Sequence, residues 1–308
     1  MKKLITLLIA FFTLFSLFAC TPVVKSTPSE YFEYRISDKK VSITGYTGSD
    51  VNVIIPSKIQ GLPVTSIGFE AFRDNTSIQT VVIQNGVTNI SNYAFQGCSG
   101  LTSITIPNSV TWIDSAFIYC TGLKSVTIPD SVTFFRNTFF GCTGLTSVTI
   151  PDSVTYIESA FYGCTGLTSI TIPDSVTDID NETFKDCTGL TSVTIPNSVT
   201  HIGESAFEGC TGLSSIIIPN SVVEMDLYTF KNCTNLSSAI ISDGLTEIPL
   251  YTFYGCTNLS SVTIPKSVHK ISRFAFTSCN LKTVNVSISC LYESTSFDNG
   301  VEVNFYQE

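Results

Sequence analysis

Charge is scarce in this sequence. Only 13% of its 308 residues are charged, and it has two methionines, one tryptophan and two histidines. A disordered, solvated chain is excluded, because 43% of the residues are apolar and must find a core. Positive charge is the scarcer sign: 16 Lys and Arg against 25 Asp and Glu leave a net charge of −9. Such a chain has little with which to neutralise phosphate, so nucleic acid and anionic headgroups are excluded as partners. No apolar run reaches comfortable membrane-spanning length. The longest, Leu4 to Phe18, is broken by Thr6, Thr13 and Ser16 and follows Lys2 and Lys3, which fits a cleaved export signal over residues 1–19. Leu17-Phe18-Ala19-Cys20 then reads like a bacterial lipobox, with Cys20 as the lipidated residue. The alternative is an ordinary cleaved signal and a secreted protein. Loss of 1–19 removes two lysines and no acids, which takes the net charge to −11.

Catalytic patterns are also missing. There is no nucleophile elbow, no phosphate-cradling glycine loop and no zinc-ligand spacing. His201 and His269 stand far apart at positions held elsewhere by ordinary variable residues. Neither enzyme chemistry, nor a cofactor, nor a resident metal is expected.

What is present is a repeat. Phenylalanine recurs at Phe72, Phe95, Phe117, Phe139, Phe161, Phe184, Phe207, Phe230, Phe253 and Phe276, at intervals of 23, 22, 22, 22 and then 23 throughout. From Phe95 on, a cysteine follows each three residues later, Cys98 to Cys279. A fixed period of this size is the signature of a stacked solenoid, in which no unit buries its own apolar face. In the unit Leu145 to Gly166, Leu145, Val148 and Ile150 predict a short strand with one buried face. Pro151-Asp152 stops it, Val154 and Ile157 re-enter the core, and Phe161 fills the side opposite the strand. The residue before each strand leucine is always Gly or Asn, from Gly100 to Asn280, which predicts a left-handed backbone there.

Units such as Leu190 to Gly212 (LTSVTIPNSVTHIGESAFEGCTG) resemble the BspA-like leucine-rich repeat of bacterial surface proteins, the 23-residue or treponemal type. The resemblance covers roughly residues 50–286. It implies a β-rich, right-handed, curved solenoid with one short parallel strand per coil and short irregular or 3-10 segments on the convex side. It also implies a cell-surface protein that attaches to macromolecules, without naming one. The expected organisation is a lipidated tether over 20–29, an N-terminal β cap over 30–56, about ten coils over 57–286 and a C-terminal cap over 287–308.

Stacked cysteines would bring their Cα atoms within disulfide range. Their Cβ atoms would lie near 5 Å, against the ~3.8 Å a disulfide needs, so buried free thiols are expected. Cys290 falls outside this register. The row Asn108, Asp130, Asp152, Asp174, Asn197, Asn220, Asp243 and Lys266 reads as turn residues rather than calcium ligands, since Asn and Lys serve the same turn.

Function in a solenoid sits where repetition breaks. The outward strand positions are monotonous, Ser103 to Ser261 with Thr105, Thr127, Thr149, Thr171, Thr194 and Thr263 two residues on, a neutral hydroxyl face of little specificity. The break lies in three successive coils, where Trp112, Phe134 and Tyr156 occupy an outward position held later by Asp178, His201, Glu224, Glu247 and Lys270. The same coils place Ile118, Phe140 and Tyr162 directly after the repeat phenylalanine, with Tyr119 beside them. They are also the coils one residue short. Clustered outer aromatics suit a protein-binding hot spot; a self-stacked ladder and a dimer contact are the alternatives. The expected partner is an extracellular protein or glycoprotein, the membrane is engaged only through the lipid, and the chain is a monomer or weakly self-associating. A structural, self-associating envelope protein is the competing reading.

Overall fold

The computed structural model describes residues 25–307. The chain forms a β-solenoid of about 12 turns. The signal segment, Cys20 and the first part of the tether lie outside the described residues.

Two rows of strands run the length of the stack. The first begins with Asn52–Ile55 and Thr80–Ile83, passes through Ser103–Thr105, Ser125–Thr127 and Ser147–Thr149, and ends with Thr283–Ser287 and Glu302–Tyr306. Its pairings are parallel and join equivalent residues of neighbouring coils, as in Ser125↔Ser147, Val126↔Val148 and Thr127↔Thr149. The period read from the sequence is therefore a spatial one. A second, shorter row adds a strand that the sequence reading did not assign. It includes Phe134–Arg136, Tyr156–Glu158, Asp178–Ile179, His201–Ile202 and Glu224–Met225, paired in parallel. Its cause is the Val-Thr-X-Ile segment after the proline turn. That segment alternates buried and outward residues and re-extends, with Thr155 N–H donating to the Thr133 carbonyl at 2.9 Å.

The core lies between these rows and the turns that close each coil. Leu145, Ile150, Val154, Ile157, Phe161 and Cys164 are all buried. The repeat phenylalanines form one column of stacked rings, with centroids from 4.8 Å apart at Phe72–Phe95 to 5.8 Å at Phe139–Phe161. Each buried ring is worth roughly 2–3 kcal/mol of transfer free energy. Tyr46 extends the column at one end, 5.5 Å from Phe72, and Phe297 at the other, 5.3 Å from Phe276.

The ten described cysteines are free thiols. Each column thiol from Cys98 to Cys279 donates to the carbonyl of the phenylalanine in the preceding coil. Cys98 Sγ lies 3.0 Å from the Phe72 oxygen and Cys279 Sγ lies 3.3 Å from that of Phe253. Burial pushes the Cys98 and Cys142 thiols up to about 12, so the thiolate is suppressed. Cys290 is also buried, beside Leu291.

The glycines before the strand leucines have a different cause from the one expected. None of Gly100, Gly122, Gly144, Gly166, Gly189 and Gly212 has a left-handed φ, nor do Asn235, Asn258 and Asn280. A Cβ on Gly100 would stand 2.1 Å from the Thr76 carbonyl oxygen, and one on Gly144 2.2 Å from that of Thr121. In the glycine coils close approach of the preceding coil, not backbone twist, leaves no room for a side chain, while the later coils accommodate Asn235, Asn258 and Asn280 at the same position. Left-handed backbone falls instead two residues before and two after the phenylalanine, as at Asn137 (φ 51°) and Gly141 (φ 68°) around Phe139.

At the N-terminal end, Phe32–Ser37 and Lys40–Tyr46 form an antiparallel hairpin through Asp38 (φ 51°) and Lys39 (φ 59°). Lys40–Tyr46 then pairs in parallel with Leu62–Ile67. Thr27 covers the edge of the first row by exchanging hydrogen bonds with Ile54, 3.1 Å and 2.9 Å. At the other end the parallel register continues past residue 286. Thr283–Ser287 pairs with Glu302–Tyr306, and Lys270–Ile271 with Leu291–Tyr292. Among the described residues, no helix is long and apolar enough to cross a membrane.

Candidate functional site

The outward column of the second row is where the repeat stops repeating. Register pairs Phe134 with Tyr156, Asp178 with His201, and His201 with Glu224, and Trp112 joins the row through an isolated bridge to Asn89. Trp112, Phe134 and Tyr156 thus project side by side from three coils. Trp112 stands edge-on to Phe134 with centroids 5.0 Å apart and an interplanar angle of 89°. Trp112 is 40% and Tyr156 38% exposed, with Phe134 half-buried between them.

The residue missing from the short coils is lost between the core residue of the second strand and the repeat phenylalanine. Ile157 reaches Phe161 through three residues, whereas Ile179 reaches Phe184 through four. Two of the three short coils carry a longer second strand, Phe134–Arg136 and Tyr156–Glu158 with three residues each against two in Asp178–Ile179, whereas Trp112 makes only a bridge. The coils under the aromatics are further fixed by Asp114. Its buried carboxylate accepts from the Arg136 backbone N–H at 3.0 Å and lies 3.3 Å from the Arg136 guanidinium. Tyr156 donates its hydroxyl to Glu158 Oε2 at 2.9 Å, and burial followed by that carboxylate pushes its pKa up to about 12.

Ile118, Tyr119, Phe140 and Tyr162 form a separate row on the turns. Phe140 and Tyr162 stack at 4.5 Å, Tyr119 meets Phe140 edge-on at 5.6 Å, and Lys185 Nζ sits 5.6 Å from the Tyr162 ring centre. Ile118 is half-buried. Among the described residues no ring contact joins this row to Trp112, Phe134 and Tyr156, so the expected cluster is two aromatic rows on the same three coils. Tyr119, 49% exposed, takes a left-handed φ of 58° where neighbouring coils use Gly97, Gly141 and Gly163. Its ring lies over Gly141, where an added Cβ would come within 2.4 Å of Tyr119 Cδ1.

Two further groupings escaped sequence reasoning. Tyr228, Tyr251 and Phe274 stack at 5.3 Å and 5.0 Å two residues before the repeat phenylalanine. The signal was present, since apart from Tyr93 the earlier coils carry small or polar residues there, as at Ser115, Asn137 and Ser159. The other is charged: His201 Nε2 lies 3.1 Å from Asp226 Oδ2, and its Nδ1 is 3.9 Å from Asp178 Oδ1. Inside this group Asp180 keeps one carboxylate oxygen buried and without a hydrogen-bond partner. Burial first, then Asp178 and Glu158, push the Asp180 carboxyl up to about 6, with His201 acting the other way. By contrast the Ser and Thr face of the first row is exposed, and hydroxyls at its margin brace the stack: Thr102 Oγ1 donates to the Gln79 carbonyl at 2.9 Å and Thr146 Oγ1 to that of Lys124 at 3.0 Å.

Comparison with known proteins finds the BspA type leucine-rich repeat region in 6 copies over residues 65–191 and 179–301. Among solved structures, a leucine-rich repeat protein of T. pallidum is 31% identical over 61% of this chain and 91% of its own, with a TM-score of 0.58. A leucine-rich repeat protein of Bacteroides ovatus is 25% identical over 89% of each chain, with a TM-score of 0.59. A leucine-rich cell surface protein of Faecalibacterium prausnitzii is 29% identical over 92% of this chain and 95% of its own, with a TM-score of 0.54. No curated protein matches the sequence.

Proposed function

The chain belongs to the BspA-type leucine-rich-repeat family, and we propose that it is a cell-envelope binding protein that docks an extracellular protein or glycoprotein on the face carrying Trp112, Phe134 and Tyr156. The family consists of repeat proteins for which a binding or scaffold role is natural, and its members are commonly found on bacterial cell surfaces. In this reading Cys20 carries the anchoring lipid, and the solenoid acts as a rigid, non-enzymatic display surface. One observation carries the proposal. From Asn89 to Lys270 the outward positions of this row are otherwise polar, yet three successive coils carry aromatic rings there, with Trp112 and Tyr156 each more than a third accessible to solvent and Phe134 half-buried between them. Exposed aromatics on a stiff scaffold lose little side-chain freedom on binding, which is why they dominate protein interfaces.

Truncating Trp112 and Tyr156 to Ala is expected to weaken adhesion to immobilised extracellular matrix or cell-surface protein by about 2 kcal/mol per hot-spot residue. The melting temperature should change little, because both rings are on the surface. A melting loss with unchanged adhesion would overturn the reading. A second reading, self-association through the same rings, draws on the Trp112–Phe134 and Phe140–Tyr162 contacts, which show that these aromatics pack well against their own kind. Light scattering of the lipid-free chain separates the two: a mass that is independent of concentration removes self-association.

A further inference from the structure

We propose that His201, Glu224 and Asp226 bind one divalent transition-metal ion, with Asp178 orienting the imidazole. This site is independent of the docking reading above. The second strand row supplies the scaffold. Its register sets Asp178, His201 and Glu224 on three consecutive coils, and Asp226 lies two residues beyond Glu224, on the same side of the strand line. One donor atom from each of His201, Glu224 and Asp226 lies within 4.8 Å of the others. Metal–ligand bonds of ~2.0–2.2 Å span such a set with small side-chain adjustments.

Carboxylates flank both ring nitrogens of His201, with Asp226 hydrogen-bonded to Nε2 at 3.1 Å and Asp178 at 3.9 Å from Nδ1, beyond hydrogen-bond range. An ion on Nε2 would also reach the Asp226 and Glu224 carboxylates, and Asp178 would close on Nδ1 to complete a carboxylate–histidine–metal relay. Among the described residues Asp178 and Asp226 form ion pairs only with His201, whereas Glu208 is paired with Lys185 and Lys231 and Glu247 with Lys270. The neighbouring Asp180 keeps a buried oxygen unpartnered.

An imidazole with two carboxylates suits Zn²⁺, Ni²⁺, Cu²⁺ or Mn²⁺, whereas Ca²⁺ wants six or more oxygens. The column thiols cannot contribute, being buried and protonated. Three protein ligands leave positions open to water or to a donor from another molecule. The ion would sit two coils from Tyr156, roughly 10 Å along the row.

Calorimetry of the metal-stripped chain with Zn²⁺ at neutral pH tests this. One ion per chain at micromolar affinity or tighter is expected, together with a rise in melting temperature. His201→Ala and Asp226→Asn should abolish both, and Glu224→Gln should weaken binding. Asp178→Asn should cost roughly tenfold to a hundredfold in affinity, and His269→Ala should change nothing. With Co²⁺ in place of Zn²⁺, the visible spectrum should lack thiolate charge-transfer bands. Absence of uptake, millimolar uptake only, or uptake unaltered by His201→Ala would each overturn the site. Circular dichroism of each variant checks that the stack is intact.

Discussion

Tyr119 holds a large side chain at a backbone angle for which its neighbours use glycine. Such a conformation costs a non-glycine residue on the order of 1–3 kcal/mol, and the solenoid retains it at an exposed position. Tyr119→Gly removes that strain at the expense of ~1 kcal/mol of glycine backbone entropy and of the edge contact with Phe140. Chemical denaturation should therefore find the variant as stable as the parent or more so, within about 1 kcal/mol, while adhesion falls if this row contributes to docking. Asp180 is a second residue with a cost written into it. A carboxyl whose pKa is raised from the ordinary carboxylate range to about 6 by folding is protonated in both states below about pH 4, and there it costs nothing. As pH rises to 6 and beyond, the folded chain must ionise it against burial and its acidic neighbours, so stability falls. Asp180→Asn should lift this penalty. With chelator present, melting curves from pH 4 to 8 should show the variant gaining on the order of 1 kcal/mol above pH 6, discounted for partial exposure, and almost nothing at pH 4.

At the scale of one coil, the strand, the stop at Pro151-Asp152 and the inward placement of Val154, Ile157 and Phe161 were legible because each follows from spacing. What spacing could not show is how tightly one coil lies against the next. Gly144 was read as a twist residue because a row restricted to Gly and Asn does not say whether an angle or a neighbour sets the restriction. The carbonyl of Thr121 is the neighbour. Gly144→Ala should accordingly lower unfolding free energy by roughly 1–3 kcal/mol, as overpacking does, where an unstrained Gly→Ala would raise it. The second strand was missed for a related reason. Two residues such as Asp178 and Ile179 are too few to announce a strand, and they extend only because a parallel neighbour on each side offers a ladder. The aromatic rows were legible as a break in pattern. Their division into two was not, since the period fixes which coil a residue belongs to and leaves open which rings touch.

The stack as a whole is bonded in both directions. Column thiols reach back to the preceding coil, while the Phe139 amide reaches forward, donating to the Ala160 carbonyl at 3.0 Å. Coils coupled to both neighbours should not open singly at low cost. Alkylation of the buried thiols by a reporter disulfide reagent should then be negligible in buffer. It should rise only across the denaturant midpoint seen by circular dichroism, with the column cysteines reacting together; labelling of a few of them in the native chain would show that coils open independently. The same couplings limit where length can change. Twenty-two- and 23-residue coils share one stack because the surplus residue, present as Glu204 and absent between Ile157 and Phe161, falls between the second strand's core residue and the phenylalanine, clear of the first strand row. That stretch is a ready-made port for protein engineering. A peptide tag or epitope spliced between the second strand and the phenylalanine of any coil would be carried outward with the ladders intact, and tags in adjacent coils would form a molecular ruler with graduations of roughly 5 Å.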